Sequence, residues 1–124
     1  MKIFISNSSS YPIYEQVVRQ IKKQIFSGEL KSGDALPSIR VLAKELQISV
    51  ITTRRVYEEL EKEGFVNAVT GKGSFVAQLE KEFLHDKRMK MIEDKISGVI
   101  AEAKLLGIKK EELTMMLNDL FEEE

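Results

Sequence analysis

The sequence has no cysteine, one histidine and two prolines. Without cysteine there are no disulfides, no thiolate metal sites and no cysteine nucleophile. The lone histidine, His85, lies among charged residues and reads as a surface residue, so a histidine-based triad would need distant partners. Long apolar runs are also missing: Ile3-Phe4-Ile5 and Val50-Ile51 fall far short of the roughly 20 residues that span a membrane. The opening Met1-Lys2-Ile3-Phe4-Ile5, followed by polar Ser6 to Ser10, is shorter than the roughly 7 to 15 apolar residues of a signal peptide core. A cytoplasmic protein with no membrane partner is expected. What is present is 124 residues, 43% hydrophobic, with 19 basic and 20 acidic side chains. A chain of this size can bury roughly two-thirds of its unfolded surface, enough for a core without staples.

The near-neutral total hides an asymmetry. Residues 1–78 carry 11 Lys and Arg against 8 Asp and Glu, a net +3, whereas residues 79–124 carry 8 against 12, a net −4. The local footprint matters more than the total for nucleic acid, and the first part is the basic one. A division into residues 1–77 and 78–124 is expected.

Periodicity predicts a first helix from Pro12, at the first helical position, to a stop before Gly28, with Tyr14, Val17, Ile21 and Ile25 on one face. The segment Gly28 to Asp34 reads as a turn. Pro37 disfavours helix at Leu36, so a second, short helix begins after Ser38 as N-cap, with Ile39, Leu42, Ala43 and Leu46 inward. Ser49 caps a third helix that buries Val56, Tyr57 and Leu60 and stops at Gly64. Val50, Ile51, Arg54, Arg55 and Glu58 lie off that stripe. Phe65 to Val69 and Ser74 to Ala77 then form a β-hairpin around Thr70-Gly71-Lys72-Gly73. From Glu80 to Leu106 a long helix carries Met89, Ile92, Ile96, Val99, Ala103 and Leu106 on one face, with Gly98 as a close-packing point or a kink. A last helix, Glu111 to Phe121, carries Leu113, Met116, Leu117, Leu120 and Phe121.

The fold class is therefore mainly α with a small β-hairpin, a winged helix-turn-helix followed by a two-helix tail. Two helices with apolar stripes must cover them. A second copy of the tail is the expected partner, since two-fold dimers are the commonest oligomers; folding back onto the first domain is the alternative. The expected dimer interface is Met89, Ile92, Ile96, Val99, Ala103, Leu113, Met116, Leu117 and Leu120.

In a winged helix the later helix enters the major groove and the hairpin lies along the backbone or in the minor groove. Ser38 and the helix start beneath it suit a phosphate, and Arg40 reaches a phosphate or a guanine edge. Ser49, Val50, Ile51 and Thr52 suit contacts with thymine methyls, and Arg54 supplies a fork of donors. At the hairpin tip Lys72 supplies charge, while Gly71 and Gly73 let the backbone approach a strand or serve only as turn residues. Rival classes are weaker. Acidic residues such as Glu58, Glu59, Glu61 and Glu63 read as a solvated face, Gly71-Lys72-Gly73 lacks the spacing of a nucleotide loop, and no metal-ligand set or cofactor motif occurs, so an enzyme is not expected. A winged helix used only for protein contacts remains open, because fold alone does not assign function.

Pro12 to Val17, Gly28 to Arg40 and Thr53 to Phe65, quoted in full as PIYEQV, GELKSGDALPSIR and TRRVYEELEKEGF, resemble the N-terminal domain of GntR-family transcription regulators over about residues 11–77. The resemblance implies that Arg40, Arg54 and the tip residues Thr70, Gly71 and Lys72 contact DNA, and that Ser49 and Thr52 stand where phosphate or base contacts are common. The chain departs from the pattern at Gln47, where glycine is usual, and at Val50, where a polar or basic residue is common. A short two-helix tail, with Leu105 to Leu113 near its turn, is similar to the YtrA-like subgroup. That implies dimerisation through the tail and repression of an operon for an ABC-type transporter. A homodimer reading an inverted-repeat operator in double-stranded DNA is the expected function. An unidentified small-molecule effector is expected, if anywhere, at the dimer interface or near Gln78 to Phe83.

Overall fold

Three amphipathic helices in the first part of the chain bury their apolar faces chiefly against one another and a hairpin, and that dictates the core. The computed structural model describes residues 1–123. The elements are α1 (Ile13–Ser27), α2 (Ile39–Leu46), α3 (Val50–Lys62), β1 (Val66–Val69), β2 (Gly73–Val76), α4 (Lys81–Leu105) and α5 (Lys110–Glu123). Val17, Ile21 and Ile25 from α1, Leu42 from α2, Val56, Tyr57 and Leu60 from α3, and Phe65, Val66 and Val76 from the hairpin close into one cluster.

The helix ends follow their caps. Pro12 is the N-cap of α1 rather than its first residue: its ψ of 154° is extended, and its carbonyl accepts the first helical hydrogen bond, from Gln16 N, at 3.1 Å. Ser38 caps α2 by accepting from Val41 N, and Ser49 caps α3 by accepting from Thr52 N. Gln47 takes the left-handed conformation at the end of α2, with φ 55°. This is the position where the family pattern has glycine, and the side chain is accepted at some backbone strain.

The hairpin pairs Val66 with Val76 and Val69 with Gly73. Val69 O accepts from Lys72 N at 2.9 Å, and Gly71 sits at φ 77°. Positive φ at the third position is the mark of a type II turn, which explains Gly71 without any ligand. The segment before Pro37 is more than a turn. Gly33 N donates to Val76 O, Val76 N to Asp34 O, and Leu36 N to Ser74 O, so residues 33–36 cover the outer edge of β2.

The N-terminal segment is held by side chains. Phe4 N donates to Gln20 Oε1 and Phe4 O accepts from Gln20 Nε2; Ser6 exchanges the same pair of bonds with Gln16; Lys2 O accepts from Gln24 Nε2. Alternate residues of an extended chain advance about 6.6 Å and every fourth helical residue about 6.0 Å, so the two repeats match. Ile3 and Ile5, the residues between, pack on the core.

The chain divides into two compact units, Met1–Leu84 and His85–Glu124. The division falls later than the expected cut after Ala77, because Leu79, Phe83 and Leu84 still pack on the first unit's core. Phe83 meets Phe65 edge to face at 5.5 Å. In the second unit α4 runs through Gly98 without interruption, and a side chain there would meet open space, so Gly98 is neither a helix break nor a close contact within the chain. Ala103 is the unit's one buried residue among the described residues. None of the described helices is long and apolar enough to cross a membrane.

Candidate nucleic-acid interface

Where α2 begins, α3 begins and β2 begins, the fold leaves a cleft of about 300 Å³ lined by Ser38, Ile39, Arg40, Val50, Arg54, Tyr57, Gly73 and Ser74. Five of the residues predicted for DNA contact, drawn from three separate elements, thus share one surface. Thr70, Gly71 and Lys72 are exposed on the hairpin tip outside the cleft, and Ile51 and Thr52 stand on the first turn of α3.

The two adjacent arginines of α3 have different employment. The Arg55 guanidinium lies 3.6 Å over the Tyr14 ring, stacked against α1. Arg54 is exposed and makes no ion pair among the described residues, and the same holds for Arg40 and Lys72. Cations left without carboxylate partners around one cleft leave a positive surface whose neutralisation falls to a ligand.

The serines are partly committed. Ser38 Oγ accepts from Val41 N at 3.2 Å, which leaves its hydroxyl proton free to donate. Ser49 Oγ accepts from Thr52 N at 2.9 Å and donates to Thr52 Oγ1 at 2.8 Å. Its one proton is spent on the cap, and the donor at this corner passes to Thr52.

Sequence reasoning placed Tyr57 only in the core and missed its second role. The phenol is buried, and its hydroxyl donates to the carbonyl oxygen of Pro37 at 2.5 Å. Pro37 immediately precedes the cap of α2, so this bond ties the start of α2, with Ser38 and Arg40, to the turn of α3 after Arg54. Burial, and then the Glu45 charge, push the phenol from its ordinary 10.0 up to about 12, which keeps the donor proton in place. A tyrosine inside an otherwise aliphatic stripe, after a proline-containing link, was the available signal.

The second unit holds the other candidate surface. A groove of about 550 Å³ between α4 and α5 is lined by Ile96, Val99, Ile100, Ala103, Lys104, Ile108, Lys110, Leu113, Thr114, Met116, Leu117 and Leu120. Seven of the nine residues predicted for a dimer interface are in it. Met89 and Ile92 are exposed farther up α4 and do not line it; Ile100 and Ile108 do, and periodicity on one face did not include them. The described residues include no group of His, Asp or Glu side chains arranged to hold a metal.

The family model of bacterial regulatory proteins of the gntR family matches residues 13–76. The chain is 34% identical over 118 residues to the HTH-type transcriptional repressor YtrA of Bacillus subtilis, covering 95% of this chain and 91% of that protein. Among solved structures, a transcriptional antiterminator from Listeria monocytogenes superposes with a TM-score of 0.76 at 30% identity, over 97% of this chain and 90% of that one. The DNA-binding domain of AraR in complex with operator ORX1 superposes with a TM-score of 0.55 at 26% identity, over 62% of this chain and 96% of that one.

Proposed function

The chain belongs to the GntR family of bacterial regulatory proteins, and on that premise we propose that it is a homodimeric repressor whose two heads read an inverted-repeat operator. DNA-binding transcription regulation is the family's activity, and the relatives are regulators rather than enzymes. The observation that carries the reading is the cleft that gathers Ser38, Arg40, Val50, Arg54 and Gly73 from α2, α3 and the hairpin. In this reading α3 lies in the major groove with Ile51, Thr52 and Arg54 toward base edges. Ser38 and Arg40 hold the backbone, and Thr70, Gly71 and Lys72 follow the adjoining strand.

Dimerisation uses the α4 and α5 groove, where half-exposed Ile96, Val99, Met116, Leu117 and Leu120 need cover that a second tail supplies. Pairing two heads predicts half-site centres about one helical turn apart, roughly 10 base pairs, or a multiple of it. By the subgroup resemblance, the controlled operon encodes an ABC-type transporter. Effector control is part of the same proposal: a small molecule that binds one pairing of the tails better than another changes the spacing of the heads.

Selection of bound sequences from a random duplex pool at two salt concentrations, with the mass of the protein measured in solution, tests the reading. A dyad-symmetric consensus bound by a dimer is expected. A single site without a dyad, or binding without a consensus that vanishes as salt rises, overturns it, and an absence of all binding moves the head to protein contacts.

A further inference from the structure

The first turn of α3 has an unusual inventory of atoms for a surface that reads bases. Ile51 is 82% exposed, against a half-buried Val50 that lines the cleft. The side-chain oxygens beside Ile51 are engaged within the cap: Ser49 Oγ accepts from Thr52 N and donates to Thr52 Oγ1, and Thr53 Oγ1 donates to Ser49 O. One hydroxyl proton, on Thr52 Oγ1, is left for a ligand. The one exposed residue among positions 50–53, the leading turn of the reading helix, is a branched hydrocarbon.

Base edges in the major groove present hydrogen-bond acceptors, donors and a single kind of apolar group, the C5-methyl of thymine. A hydrocarbon cannot reward an acceptor or a donor and leaves it unsatisfied when it displaces its water. Its gain comes from covering another methyl. Ile51 is also not explained by folding, because at this exposure it adds almost nothing to the core, and it flanks the Arg40 and Arg54 surface rather than standing alone. We propose that Ile51 is the specificity-determining residue that reads the C5-methyl of one thymine in each half-site. The inference rests on the operator-binding reading above and adds to it the identity of a base group. The neighbouring Arg54, with its fork of donors, reads or clamps a different position.

The test removes one methyl group at a time. Each thymine of the selected operator is replaced in turn by deoxyuridine, and affinity is measured for the full-length wild-type protein and for Ile51→Ala. One thymine per half-site is expected at which loss of the methyl weakens wild-type binding about fourfold, the worth of one buried carbon. In Ile51→Ala the thymine and deoxyuridine duplexes bind equally at that position. The fourfold effect is the same at low and high salt, as a phosphate contact would not be. Equal sensitivity in wild type and variant, or no sensitive thymine in an operator that the wild type binds, overturns the inference while leaving the regulator reading intact. Failure of the wild type to bind any operator overturns the regulator reading itself. The melting temperature of Ile51→Ala should match wild type, since the side chain is exposed.

Discussion

The head and the tail are built from similar helices and end in opposite states. Residues 1–84 bury twelve apolar side chains in one cluster, whereas in residues 85–123 only Ala103 is buried, and Ile92, Val99, Leu117 and Leu120 are about half exposed. The difference teaches where each unit finds its stability. The head's stripes face three directions that converge, so the chain completes its own core. The tail's two helices meet along one seam and leave a groove, so much of its apolar surface stays uncovered within that unit.

The contrast can be broken most severely in the tail. Leu117→Glu places a charge in the groove and is expected to convert the proposed dimer to monomers by sedimentation. Operator affinity should fall by about 10²–10⁴ through lost bivalency while the head melts as before. In the head, Leu60→Ala opens a cavity at a fully buried position. Chemical denaturation should report a loss of about 2–5 kcal/mol, with no comparable cost for Leu120→Ala in a monomeric background. Within the head, Arg54→Ala should cost about 1–3 kcal/mol at the operator if it reads a base, and Arg55→Ala less, because Arg55 is stacked on Tyr14. Lys72→Ala should weaken operator and random DNA alike and flatten the salt slope by about one unit, as for a single phosphate contact.

The last effect is a pH signature that appears only in alkali. The Tyr57 phenol is raised from 10.0 to about 12 in the folded state, so between these values the unfolded chain has released the proton that the folded chain keeps. Stability supplied by the protonated phenol is present below pH 10 and is lost as pH rises toward 12. Tyr57→Phe should remove that part of the alkaline decline in a denaturation series.

Local signals were legible in the residues. Ser38 and Ser49 announced two helix starts, Gly28 and Gly64 two ends, and the hairpin was written as two β-rich runs around Gly71 and Gly73. These are effects of a residue on its own neighbourhood. What escaped were interactions between distant segments: Tyr57 with Pro37, residues 33–36 along β2, and the glutamines of α1 with the N-terminal chain. Each depends on which backbone groups lack partners once the helices have packed, and no single window of sequence contains that information. The cleft stands between these cases. Its members were named individually, but their convergence on one surface is a property of the packed fold.

The glutamine ladder of α1 works as a vernier. Its two scales, an extended chain and a helix, differ by about 0.6 Å per rung, so the match degrades as rungs are added. Three rungs stay within hydrogen-bonding tolerance, and the helix has room for no others, since the next positions in the four-residue series are Pro12 and Gly28 beyond its two ends. The length of α1 therefore sets how much of the N-terminal chain is held, and inserting one residue between Lys2 and Ser6 would put Ile3 or Ile5 out of phase with the core.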